Sequence, residues 1–172
     1  MKITRTRLIP AAVLCLLGLA APAFAQDPRP LPEVNLAGPR FGVTMLSQST
    51  IDALKDHEIN VRPLVSQFGW QFEKRVYTSK DGAAALFEWV PLITGLDQGV
   101  VLPSFNWLVG VRTPMGHEFG LGPNVSAAGV GLVVSAGLTV RSGALNIPMN
   151  VAVATSRYGP RFTLLTGFNI RR

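Results

Sequence analysis

Two histidines, His57 and His117, and a carboxylate set among aromatics, Glu88, are the residues of this chain whose surroundings invite a chemical reading. His117 follows the turn sequence "TPMG" and precedes Glu118. An acyl hydrolase needs a histidine base near a serine and an acid. Neighbours on a strand point to opposite faces, so His117 and Glu118 make a poor dyad and His117 reads as a turn-region surface residue. His57 lies in the polar run "KDHE", and two scattered histidines without a carboxylate cluster do not make a metal site. The glycines of "GLGP" (Gly120 to Pro123) and "GVG" (Gly129 to Gly131) run into more strand rather than into a helix N-terminus, which a phosphate loop requires. They read as glycines that let opposing walls of a narrow barrel pack closely. No catalytic residue, metal or cofactor is assigned, and the chain is not expected to be an enzyme.

Glu88 sends the reading back to the elements that position it. In "QFGWQFEKRVYTSKDGAAALFEWVPL" (Gln67 to Leu92) aromatic residues recur at every second position on both sides of Asp81-Gly82, a hairpin signal. Eight such period-two segments follow one another: about Pro39 to Ser47, Pro63 to Thr78, Ala83 to Ile93, Val100 to Thr113, His117 to Asn124, Ala127 to Arg141, Asn146 to Thr155 and Arg161 to Ile170. The fifth, with Gly120, Gly122 and Pro123, has the least certain upper end. Between the first two, "QSTIDALKDHEIN" holds a helical turn or two, with Ser49 or Thr50 as cap. Short connections make consecutive strands antiparallel, and closing the meander removes its exposed edges. The fold class expected is all-β, an eight-stranded up-and-down antiparallel barrel with a short helical turn in the first loop.

Residues 1 to 25 have a basic start (Lys2, Arg5, Arg7), an apolar run and "AFA" before Gln26, the pattern of a secretory signal peptide. Cleavage leaves 172 − 25 = 147 residues, and the formal charge falls from +6 to +3 because three basic residues leave. The only cysteine, Cys15, leaves too, so no disulfide is expected. Residues 26 to 38, rich in proline, read as an N-terminal linker to a barrel domain at 39 to 172. So small a basic excess, unclustered, gives no case for nucleic acid. The chain has no lysine after Lys80, although a water-soluble sheet protein normally dresses its outer face and edges with charge.

The faces then suggest the medium. If Phe87 and Trp89 point outward, Glu88 points inward, within reach of Arg75, Arg112 or Arg141. The same parity sends Gln67, Gln71, Glu73 and Arg75 inward opposite Phe68, Trp70 and Phe72, and Asn106 and Arg112 inward opposite Phe105 and Trp107. An interior polar network of Glu73, Arg75, Glu88, Arg112 and Arg141 and a lipid-facing set of Phe68, Trp70, Phe72, Phe87, Trp89, Phe105 and Trp107 follow. Trp70, Tyr77, Trp89, Trp107 and Tyr158 are candidates for two interfacial girdles. Polar inside and apolar outside is the transmembrane arrangement, and a soluble lipocalin-like barrel is its inverse.

On these residues the chain from about Pro39 to Arg172 resembles the small eight-stranded outer-membrane barrels of Gram-negative bacteria. The resemblance implies export to the cell outer membrane, contact with its lipid, and folding by the barrel assembly machinery. That machinery reads a C-terminal aromatic; here Phe168 is set back from the end in "GFNIRR". The function expected is a structural or surface-interaction barrel with a filled polar lumen, not a general porin. The alternatives are a secreted or periplasmic lipocalin-like barrel holding an apolar ligand, and an outer-membrane acyl hydrolase.

Overall fold

The computed structural model describes residues 35–170. The expected signal peptide and most of the proline-rich linker lie outside these residues. Eight long strands form in the expected meander: β1 (Gly38–Leu46), β2 (Leu64–Thr78), β3 (Ala84–Thr94), β4 (Leu102–Arg112), β5 (His117–Ser126), β6 (Gly129–Ser142), β7 (Leu145–Ala154) and β8 (Arg161–Gly167). Past Phe168, β8 resumes as Asn169–Ile170, which also pairs with β7. Each strand is antiparallel to the next, and β1 pairs with β8 from Arg40↔Gly167 to Leu46↔Arg161, closing the barrel.

The fifth strand is regular despite its glycines and proline. Its pairing with β4 keeps one register on both sides of Pro123, from Asn106↔Asn124 to Arg112↔Glu118. The only shift in the β2–β3 ladder lies between Arg75 and Tyr77, where one extra residue leaves Val76 and Tyr77 both exposed at the hairpin end. Asp81-Gly82 turns there as expected: Gly82 has φ 81°, a value that favours glycine, and its N–H donates to the Ser79 carbonyl at 3.0 Å.

The helical turn becomes α1 (Gln48–Lys55), and its N-cap is Ser47 rather than Ser49 or Thr50. Thr50 is fully buried and donates its hydroxyl to the Tyr158 carbonyl at 3.3 Å, so tertiary contact takes the side chain that the local pattern offered as a cap. α1 sits over one end of the barrel. Leu54 joins Leu46, Val65 and Leu102 in an apolar cluster, with Ile51, Ile59, Val61 and Val100 packed against it. A 3-10 turn, Leu96–Gln98, lies at the same end.

The inward residues form levels. From the hairpin end toward α1, β1 presents Arg40, Gly42, Thr44 and Leu46; β2 presents Glu73, Gln71, Gly69, Gln67 and Val65; β3 presents Glu88, Val90, Leu92 and Thr94. An apolar layer of Val90, Leu92, Leu108, Val133, Ala154 and Leu165 therefore separates a charged level below from an amide and hydroxyl level above. Inward glycines do a different job from the one expected of them. A Cβ on Gly122 would lie 1.8 Å from the Trp107 carbonyl oxygen, and one on Gly42 would lie 1.9 Å from that of Leu164. The obstruction is the backbone of the adjacent strand, not the opposite wall, so glycine here permits the sharp coiling that closes a narrow barrel.

Candidate functional site

The charged level is built around Arg112, at the hairpin end of β4. Its Nη1 and Nη2 donate to the two oxygens of Glu73 at 2.7 and 2.5 Å, a bidentate fork, while Nε donates to Glu118 Oε2 at 2.8 Å and Nη2 also contacts that oxygen. The other Glu118 oxygen accepts from Asn150 Nδ2 at 3.3 Å. Arg112 and Glu118 are adjacent across the β4–β5 ladder, whereas Glu73 comes from the other side of β3.

Glu88 is buried inward as its parity requires, 2% exposed. It is not the centre of the network. Its Oε1 stands 3.9 Å from Arg112 Nη2 and makes no hydrogen bond. Glu73 lies directly across the ladder from it and has the better geometry toward the guanidinium. Arg75 and Arg141 also face inward, nearer the hairpin end, at intermediate burial.

Two members escaped the sequence reading. Glu118 was used only to reject a dyad with His117, yet the same parity turns it inward and places it on Arg112. Arg40 is 1% exposed; its Nε donates to Gln71 Oε1 at 3.0 Å and its Nη2 to the Leu36 carbonyl at 2.7 Å. The alternation of Phe41, Val43 and Met45 against Arg40, Gly42 and Thr44 was the signal that could have found it.

Glu73, Glu88 and Glu118 can bring carboxylate oxygens within 4.8 Å of one another, a donor set that also suits a cation. The cation built into the centre is Arg112, whose fork occupies oxygens of both Glu73 and Glu118. Glu73 and Glu118 with Arg112 make a structural charge cluster, buried, hydrogen-bonded and paired, beside which Glu88 Oε1 has no hydrogen bond.

His117 is exposed on the outer face, while Glu118 is buried and held by Arg112. Glu118 therefore cannot orient the imidazole for base catalysis. This agrees with the opposite faces read from the sequence.

The outer face carries all the aromatic residues expected there. Phe68, Trp70, Phe72, Phe105 and Trp107 are exposed; Phe87 and Trp89 are half-buried because they pack on each other at 5.1 Å between ring centroids, and Phe87 meets Trp107 edge-on at 5.6 Å. The girdle expectation needs correction. Trp89 pairs with Trp107 near the middle of β3 and β4, and Trp70 is likewise mid-strand in β2. The tryptophans form one patch across β2–β4, and only Tyr77 and Tyr158 lie toward the barrel ends. Among the described residues of the eight strands, Lys74 is the one charged side chain exposed on the outer face.

Fold and site together define a closed eight-stranded β-barrel with a charged, filled interior and an apolar exterior. No protein family, curated protein or solved structure matches this chain.

Proposed function

We propose that this protein is an outer-membrane β-barrel of a Gram-negative bacterium, exported by its N-terminal signal, with a structural or surface-interaction role. The observation that carries the reading is the inversion of its faces. More than twice as many apolar residues are exposed as buried among the described residues, and they run around the whole circumference, from Phe41 and Phe68 through Trp107, Leu121, Val134 and Val151 to Leu164. Burying a large apolar side chain contributes ~1.5–3 kcal/mol. These are about half exposed, so leaving some thirty of them in water forgoes roughly tens of kcal/mol, more than the ~5–15 kcal/mol stability of a typical domain. Lipid on that face removes the deficit.

Most strands reach the ~9–11 residues that span a bilayer at a steep tilt. Lys74, near the hairpin end of β2, can extend its head toward the interface. All three hairpin connections at the end where β1 begins are short, and the longest connection, with α1, lies at the other end, which suits a periplasmic N-terminus. The charge cluster, the apolar layer and α1 fill the lumen, so a general diffusion pore is disfavoured. The partners that follow are outer-membrane lipid and the barrel assembly machinery.

Cell fractionation tests the proposal. The protein is expected with outer membranes, extracted only by detergent and shifted in gel mobility by boiling. Folded protein recovered from the soluble periplasm without detergent would overturn it in favour of a soluble ligand-binding barrel.

A further inference from the structure

Between the apolar layer and α1 lies a cavity of about 60 Å³. One wall is a hydrogen-bonded chain across four strands: Thr163 and Thr44 share a bond of 2.8 Å, Thr44 donates to Gln67 Oε1 at 2.8 Å, and Gln67 Nε2 donates to Thr94 Oγ1 at 3.0 Å. On the other wall Asn124 Nδ2 donates to Ser104 Oγ at 3.0 Å and to Asn106 Oδ1 at 2.6 Å. Leu54, Leu92, Leu102 and Val133 supply apolar surface.

The cation in this level is Arg161, the first residue of β8 and 8% exposed. Its Nη2 donates to Asn124 Oδ1 at 2.5 Å and its Nη1 to Ser126 Oγ at 2.7 Å, both neutral acceptors. Its Nε has no hydrogen-bond partner. Among the described residues no aspartate or glutamate lines the cavity and Arg161 makes no ion pair. The other two deeply buried arginines lie in the charged level: two carboxylates answer Arg112 directly, and Arg40, though its hydrogen bonds go to neutral acceptors, feels the charges of Glu118, Glu88 and Glu73. At Arg161 no described residue supplies a counter-charge, while a cavity adjoins the guanidinium. A desolvated cation without an anion is costly, so an anion entering from solution gains charge-assisted bonds that the protein leaves unmade.

We propose that Arg161, with the hydroxyl and amide groups around it, forms a binding site for a compact monovalent anion, a small carboxylate or halide. One guanidinium neutralises one charge, and a cavity of this size admits an ion of a few heavy atoms. A divalent tetrahedral anion would leave a charge uncompensated beside Leu92, Leu102 and Val133. The site does not depend on which medium covers the outer face.

The test uses the full barrel, in whatever detergent or buffer the folded protein is recovered. Sodium formate and sodium bromide are titrated against sodium sulfate at constant ionic strength, and the urea midpoint is followed. Formate and bromide are expected to raise the midpoint with the logarithm of concentration above Kd, reaching about a hundredfold gain in the folded-to-unfolded ratio at about 100 times Kd. Arg161→Gln is expected to lose the response and Arg161→Lys to keep a weakened one. A midpoint that follows ionic strength alone, or an Arg161→Gln variant that responds as the parent does, overturns the proposal. Should the variant not fold, the parent suffices: its Arg161 Nε–H resonance is expected to shift saturably with formate and not with sulfate, and a resonance indifferent to formate is equally fatal.

Discussion

Replacing Arg112 with methionine removes the cation that three carboxylates share. Two of them, Glu73 and Glu118, lose direct hydrogen bonds at 2.7 and 2.8 Å, and all three stay in a space where their oxygens lie within 4.8 Å. Removing one partner of a buried ion pair costs ~3–5 kcal/mol, because the other charge stays buried and uncompensated. Arg112 serves two such partners, so we expect the upper part of that range at neutral pH. With a urea slope of about 2 kcal/mol/M, the midpoint falls by roughly 2 M. Glu88→Gln gives the internal contrast: Glu88 Oε1 makes no hydrogen bond, so this change is expected to be neutral or stabilising. Urea unfolding of the refolded barrel, followed by tryptophan fluorescence, reads both variants. An Arg112→Met midpoint within 0.5 M of the parent (about 1 kcal/mol), or a Glu88→Gln loss as large as that of Arg112→Met, would refute the idea that Arg112 is the hub.

Three further outcomes are expected. Val134→Arg on the outer face of β6 should cost ~2–4 kcal/mol in a bilayer, measured by unfolding from lipid vesicles; a cost below ~0.5 kcal/mol is what a water-exposed surface site would show. Gly122→Ala places a Cβ 1.8 Å from the Trp107 carbonyl and should prevent the heat-modifiable folded band from forming, whereas a normal band would remove the coiling argument. Asp97, in the 3-10 turn, is held below the ordinary aspartate range chiefly by the Ser66 hydroxyl, then by the Ser66 N–H. Its contribution is therefore present above the unfolded value and lost as pH falls through the lowered one. A carboxyl NMR titration should show this depression and its reduction in Ser66→Ala; an Asp97 midpoint at or above the free value near ~3.9 would contradict it.

The strands were legible because alternation is a local property. All eight begin and end close to where period-two patterning and turn residues place them, and the inward and outward assignments in β3, β4 and in β2 as far as Arg75 follow from parity alone, which fails only where the bulge exposes both Val76 and Tyr77. Parity says which face a residue takes but not which residues at that face meet. Glu88 drew attention because aromatics flank it, yet Glu73 and Glu118 hold Arg112, through register and barrel curvature that no single segment encodes. Arg161 shares the parity of buried Leu165, opposite exposed Phe162 and Leu164, but that no described acid lines its cavity is a fact about the other strands. The cap at Ser47 was missed because Thr50 is recruited by Tyr158, distant in sequence. The glycines were read as space across the lumen, whereas the contact that excludes a side chain comes from the neighbouring backbone.

Lipid contact of the aromatic face can be read from the tryptophans themselves. The chain has three tryptophans, Trp70, Trp89 and Trp107, all on that face and all mid-strand. Fluorescence of the folded protein should therefore be measured in vesicles whose lipids carry bromine either at the middle of the acyl chains or near the headgroups. Stronger quenching by the deep bromines is expected. Emission indifferent to both, from folded protein that stays in the aqueous phase, would contradict it.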